Sequence, residues 1–562
     1  MSERSRTGLL GLVLAVLALV AHRGHAVEFL NYDDDDYVTE NPIVKYGLSA
    51  DSARRAFTEP QAANWHPLTW LSHMVDVELF DLDPAAHQRT SRWIHALSAL
   101  LLFLFLARTT RAPAPSFLAA GLFALHPQHV ESVHWISERK DVLSGLFWMA
   151  TLLAHAHYAR RPSWARYLLV ASTLLLGLLA KATGVTLPFV LLLMDLWPLG
   201  RLRATDGRSG EPLRRLVLEK LPLLLLAAAI AATAIATQSA YGTPASFERL
   251  PLDARVSNAA TAAATYLGKA LWPTNLAAFY PHPAALDPGF EPWNARALLA
   301  LLAIAAALAA AWRSRRRRPW ITVGVCWFLG TLVPLSGLVQ VGVQSRADRY
   351  AYLPLIGFYA AVCWTAWEAL PRARRALIVL GLAALGALSF VTARQSRVWR
   401  DSRTLFEHAL EVTEDNYVAL IQLADLELVS GRPRSAEALL LRSGEIHTDS
   451  QLCSNLSAVQ IALEKWGVAE QNARRALELD GGNPEAHVNL GVVLGSTERF
   501  EKAAASFQRA TELRPSYADA WYDLGLLHLE RGRRQQAAEC FRRVLRIDPG
   551  WAEVRALLDG TE

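Results

Sequence analysis

Residues 376–400 read ALIVLGLAALGALSFVTARQSRVWR. From Ala376 to Ala393 no side chain is charged, a length that at about 1.5 Å of helical rise per residue nearly matches a bilayer core, and then arginines arrive at 394, 397 and 400. The chain changes character at this seam. Upstream, apolar stretches of about 15 to 20 residues recur between short polar segments, whereas downstream the sequence is charged and has no such run. We therefore expect an all-α protein with a polytopic membrane bundle at residues 1–393 and a water-soluble helical array at residues 394–562.

Working back from the seam, apolar runs predict spans near Gly8–His22, Trp93–Ala107, Phe117–Leu125, Val142–His157, Ala165–Ala180, Thr183–Leu196, Leu221–Gln238, Ala295–Trp312, Trp320–Val341, Tyr352–Leu370 and Ala376–Ala393. That is about eleven spans. Counted so, the basic clusters at Arg4 and Arg6, Arg108 and Arg111, Arg160 and Arg161, Arg201 to Lys220, Arg313 to Arg318 and Arg372 to Arg375 fall on one face. Cytoplasmic loops carry the excess of Lys and Arg, so the N-terminus is expected in the cytoplasm and the C-terminal array on the opposite face. In a bacterial inner membrane that face is the periplasm. A further stretch, Asn258–Trp272, is read as interfacial or re-entrant, because a crossing there would move the Arg315 to Arg318 run outside. The first span has a second reading as a signal peptide cleaved near Gly24-His25-Ala26; Asp33 to Asp36 are extracytoplasmic under both.

Working forward, the tail aligns on itself with a period of about 34 residues: Leu456, Leu490 and Leu524; Ala469, Ala503 and Ala537; Phe507 and Phe541; Pro515 and Pro549. Trp521, Leu524, Gly525, Ala537, Phe541 and Pro549 stand at the offsets of the tetratricopeptide repeat. A degenerate unit around Leu423 and Ala436 brings the expected count to about four. Such arrays bind partner or substrate polypeptides, or act as spacers.

Lys and Arg exceed Asp and Glu by 57 to 52, but the arginines cluster in loops between apolar runs, so topology explains them and nucleic acid is not an expected partner. The four cysteines show no paired spacing and read as core residues. No metal ligands are identified, and dependence on a divalent metal is left open.

Immediately after the first span stand four consecutive carboxylates, Asp33 to Asp36. A solvated acidic turn is one reading; a calcium loop fits poorly, since Val38 stands where an EF-hand starting at Asp33 needs Gly. Ionisable and polar residues that border spans on this same face are functional candidates: His66, His73, Asp76, His126, His129, Glu131, Arg139, Lys140, Asp141, Lys181, Arg346 and Arg349. Carboxylates on one wall and cations on another suit a reaction between an anionic, lipid-borne donor and a neutral hydroxyl.

The stretches Phe29-Leu-Asn-Tyr-Asp-Asp, Ala124-Leu-His-Pro-Gln-His-Val-Glu-Ser-Val-His-Trp, Arg139-Lys-Asp-Val-Leu-Ser and Asp348-Arg-Tyr-Ala-Tyr-Leu-Pro resemble the transmembrane and tetratricopeptide-repeat proteins, a family that contains protein O-mannosyltransferase-like enzymes. The resemblance covers nearly the whole chain. It implies a GT-C glycosyltransferase bundle, a polyprenyl-phosphate-sugar donor and no other cofactor. It also implies a catalytic acidic pair at Asp33 and Asp34; the bordering cations Lys181, Arg346 and Arg349 are read as donor-phosphate ligands, and His66, His126, His129, Glu131, Arg139, Asp141 and Tyr352 as further pocket candidates. Ala182 departs from the pattern, for relatives usually carry Glu after the Lys. The expected activity is transfer of a sugar, mannose in the named relatives, to an acceptor hydroxyl on protein. The alternative is a non-enzymatic membrane scaffold, which would need the repeats but not the carboxylates.

Overall fold

The computed structural model describes residues 3–24, 27–61, 63–202, 210–240, 250–287, 289–338 and 342–561. His25 and Ala26 of the second reading of the first span lie outside these, as does Val341. The described chain is almost entirely helical; its one sheet is a short antiparallel pair, Tyr280–Pro281 with Gln344–Arg346. Two compact units divide between Thr413 and Glu414. The sequence reading drew this line at 393. Residues 394–413 pack within the first unit, because Glu28 N–H donates to Arg400 O (2.8 Å), Asn31 N–H donates to Ser402 Oγ (2.9 Å), and Phe406 sets its edge on Tyr32.

Among the described residues of the first unit, four helices are long and apolar enough to cross a membrane: Pro84–Thr110, Leu213–Ser239, Ala295–Ser314 and Pro371–Trp399. Shorter apolar helices accompany them, among them Ser5–Ala21, Pro113–Leu125, Trp164–Ala180 and Pro319–Leu335. Leu299, Leu302, Val379, Leu380 and Phe390 on the long helices are each about two-thirds exposed. Such a coat of leucine is stable against lipid and costly against water, so the chain is a membrane protein. Where helices touch, small residues admit close approach: a Cβ on Gly324 would lie 2.5 Å from the Gly357 carbonyl oxygen. The ninth expected span stops short. Its helix ends at Leu332 and a single turn carries it to Leu335, since Pro334 has no N–H to continue the ladder and Gly337 turns the backbone to φ +80°. Of the stretch Asn258–Trp272, all but the capping Trp272 lies in the helix Leu252–Leu271, which packs on Ala295–Ser314 and whose Asn258 donates to Ser345 O at 2.7 Å.

The two ends of this bundle differ in kind. At one end Arg160 donates to Arg108 O, and Asp195 gathers His155, Arg201 and Lys220 at 2.5 to 3.1 Å. The same helices, followed to their other ends, bring together residues 30–37, 131–141, 181 and 349.

The second unit is four antiparallel helix pairs and a closing helix: Tyr417–Val429 with Pro433–Ile446, Ser450–Ala462 with Trp466–Leu479, Pro484–Ser496 with Phe500–Leu513, Ala518–Glu530 with Arg534–Ile547, then Ala552–Thr561. Ala436, Ala469, Ala503 and Ala537 recur at the buried seam of each pair. A Cβ on Gly525 would meet the Phe541 ring at 2.6 Å, which is why glycine stands there. This is the expected tetratricopeptide-repeat solenoid, and the degenerate first unit is a full helix pair.

Candidate functional site

The acidic run is held by two anchors that flank Asp33. Tyr32 stacks on Trp135 with centroids 4.6 Å apart and planes 8° from parallel, and its carbonyl accepts from Trp135 Nε1 at 2.8 Å. Asp34 is fully buried and accepts three hydrogen bonds, from Leu30 N (3.0 Å), Ser137 N (2.9 Å) and Ser137 Oγ (2.5 Å). Burial pushes its carboxyl up to about 7 against those bonds. Between the anchors Asp33 adopts φ +65°, a left-handed conformation that short polar residues accept at some cost. Its side chain is thereby turned outward and is exposed. Although Asp33 is exposed, the surrounding protein desolvates its carboxyl and raises it, while Lys140 and Arg349 act to lower it. The sequence placed the two aspartates together as a pair; the structure gives them opposite environments. Asp35 and Asp36 are exposed at the start of the single turn that follows.

Opposite Asp33 lies a buried charge cluster centred on Glu138. Its carboxylate meets Lys140 Nζ at 3.2 Å, Lys181 Nζ at 3.1 Å and Arg349 Nε at 3.2 Å. Burial alone would raise this carboxyl; the three cations overcome it and hold Glu138 far below the usual carboxylate range. Lys181 also pairs with Asp141 at 2.6 Å, and the Arg349 guanidinium pairs with Glu131, whose other oxygen accepts from Arg349 N at 2.8 Å. Burial raises Glu131 to about 7, with Arg349 opposing. Aromatic faces complete the cations' surroundings: Lys140 Nζ lies 4.1 Å from the Tyr37 centroid, and Arg349 lies about 5 Å from both Trp135 and Tyr350. Where Ala182 departs from the family pattern, Glu138 and Asp141 supply carboxylates to Lys181 from another segment.

The other candidates separate. His66, at the start of the helix Pro67–Phe80, borders the cluster; burial first, then Lys140 and Lys181, push its imidazole down to about 3, so the ring is neutral. Arg346 instead stacks on Tyr280 at 4.1 Å, beside a Lys269–Asp348 pair at 3.3 Å. His126 and His129 spend a ring nitrogen on the carbonyls of Ala270 (3.1 Å) and Phe123 (2.7 Å), and the Tyr352 hydroxyl bonds His95 at 2.8 Å; these three brace the bundle interior. Arg139 is fully buried in a network of its own with Asp76, Ser72, Ser91 and the His87 carbonyl. Sequence reasoning missed Glu138. Its signal was present, for residues 137–141 are five consecutive polar positions at the mouth of an apolar helix.

Comparison with known proteins agrees with both halves of this picture. A tetratricopeptide-repeat family model matches residues 494–550. The chain is homologous to the protein O-mannosyl-transferases named Tmtc or TMTC: it is 31% identical to Tmtc1 of Drosophila melanogaster over 140 residues, 25% of this chain and 16% of that protein. It is 26% identical to human TMTC4 over 338 residues, 54% of this chain and 45% of the relative. These matches span less than half the length of the relatives. Among solved structures, the repeat protein YrrB is similar over 28% of this chain and 82% of its own (22% identity, TM-score 0.24), and MamA over 27% and 89% (21%, 0.23).

Proposed function

We propose that this chain is a membrane glycosyltransferase of the GT-C kind that moves a sugar, mannose by analogy with its relatives' names, from a polyprenyl-phosphate-sugar to an acceptor hydroxyl at the periplasmic face of a bacterial inner membrane. The observation that carries the reading is one exposed carboxylate, Asp33, in a left-handed backbone conformation and within the field of Lys140 and Arg349, which with Lys181 surround Glu138. The acceptor oxygen attacks the anomeric carbon, the bond from that carbon to the phosphate oxygen breaks with its electron pair leaving on phosphate, and the hydroxyl proton passes to Asp33. A carboxyl raised by desolvation is a stronger base than one in water. Arg349 and the two lysines receive the charge that grows on the departing polyprenyl phosphate, in a site where charges are weakly screened. Asp34 positions Asp33 and does not meet substrate. Arg346 is left to the neighbouring Tyr280 cluster rather than to the donor phosphate. The repeats present the protein acceptor.

The test is release of polyprenyl phosphate from polyprenyl-phosphate-mannose by the purified protein with a hydroxyl-bearing peptide. Asp33→Asn should abolish release with the fold intact. Full activity in that variant would end this reading and favour a membrane-anchored repeat scaffold.

A further inference from the structure

Apart from the cluster around Glu138, the helix Pro67–Phe80 carries His73 and Asp76 on one face, three residues apart, and the first turn of the helix Pro84–Thr110 presents His87 to them. All three side chains are buried. The two rings stack with centroids 5.3 Å apart and turn their Nδ1 atoms toward each other at 3.1 Å, with Asp76 Oδ2 3.7 Å from His87 Nδ1. One donor atom from each of the three lies within 4.8 Å of the others. His73 Nε2 has no hydrogen-bond partner among the described residues, while the His87 ring also meets the Asp81 backbone.

We propose that His73, Asp76 and His87 bind a transition-metal ion of the zinc class, fastening the first extracytoplasmic loop to the helix that follows it. Two imidazole–zinc bonds of about 2.0 to 2.1 Å at a tetrahedral angle separate their nitrogens by about 3.4 Å, close to the 3.1 Å between the two Nδ1 atoms, and Asp76 Oδ2 stands 3.7 Å from His87 Nδ1. Thr90 Oγ1 donates to Asp76 Oδ1 (2.9 Å) and Arg139 Nη2 to Oδ2 (2.6 Å). An ionised carboxylate offers about four lone-pair directions, so these bonds fix its orientation and leave others for an ion. Arg139 also selects. Calcium and magnesium depend on the summed charge of oxygen ligands, which the guanidinium here offsets, whereas zinc binds through the imidazoles. The site stands independently of the glycosyl-transfer reading.

The experiment uses the full-length, tag-free protein in detergent, incubated with zinc chloride, desalted through a weak chelator and assayed for metal by mass spectrometry. The wild type should retain about one zinc per chain and His73→Gln/His87→Gln about a tenth of that or less. A wild type that retains no more than about a tenth of an equivalent, or a double variant that retains as much as the wild type, would overturn the proposal. If the double variant does not fold, cobalt loading of the wild type decides. Intense visible d–d bands of a low-coordinate nitrogen and oxygen site without thiolate charge transfer support the assignment; the weak spectrum of octahedral aqueous cobalt refutes it.

Discussion

The repeat unit and the charged end of the membrane unit solve the same problem, holding helices at fixed separations, with opposite materials. In the repeats a fully buried alanine recurs in each pair, at 436, 469, 503 and 537, and the main helix contacts lie within a pair or to the adjacent pair. Around Glu138 the contacts are between charges, and their partners lie far apart in sequence: Asp34 reaches 103 residues to Ser137, and Glu131 reaches 218 to Arg349. Apolar seams tolerate local damage because each interface is separate, whereas a buried ion cluster is satisfied only as a whole.

The sharpest break of this comparison is chemical. Asp33→Asn keeps size and hydrogen bonding but removes the proton acceptor, so turnover should fall about 10²- to 10⁴-fold while the unfolding temperature is unchanged. A lipid-phosphate release assay beside a thermal melt checks it. Next, Glu138→Gln leaves Lys140, Lys181 and Arg349 without their shared anion; about 3 to 5 kcal/mol of stability should be lost from the membrane unit alone. Limited proteolysis should show the repeats still resistant. Gly525→Leu acts in reverse, driving a side chain into Phe541 at a cost of about 1 to 3 kcal/mol. Cleavage within residues 518–547 should then rise while the membrane unit stays intact, and equal loss of both would dissolve the contrast. A separate effect is on pH dependence. The Asp34 carboxyl is raised from 3.8 to about 7 on folding, so the folded state binds the extra proton; its contribution is fully present below about pH 4 and is lost as pH rises to about 7. Asp34→Asn should flatten that part of the stability–pH curve measured by denaturant titration.

The same contrast explains what could be read in advance. The repeats were legible because packing at Gly525 and Ala537 recurs at a fixed interval, and the apolar helices because lipid imposes length. At the site, Asp33, Lys181, Arg349, Glu131 and Asp141 were found as polar residues bordering apolar runs, and the structure does bring them to one end of the bundle. That Arg139 turns to Asp76 instead, that Arg346 turns to Tyr280, and that His126, His129 and Tyr352 serve backbone carbonyls and ring packing could not be read, because residue type does not say which way a side chain leaves its helix. Asp33 and Asp34 differ for a subtler reason: a single φ of +65° separates the exposed carboxylate from the buried one. The helix after Trp320 ran shorter than its hydropathy suggested because Pro334 intervenes.

The reach of Asp34 has a meaning in time. At a ribosome's pace of about 5 to 20 residues per second, Ser137 emerges on the order of 5 to 20 seconds after Asp34, and Arg349 later still. During that wait the acidic loop exists without Trp135, Ser137, Lys140 or Arg349, the later-made groups that surround it in the finished protein. Four adjacent carboxylates keep such a segment hydrated and averse to self-association until the polypeptide that completes it arrives. The run in which we propose one base for the finished protein thus also serves as its own holding pattern during biogenesis.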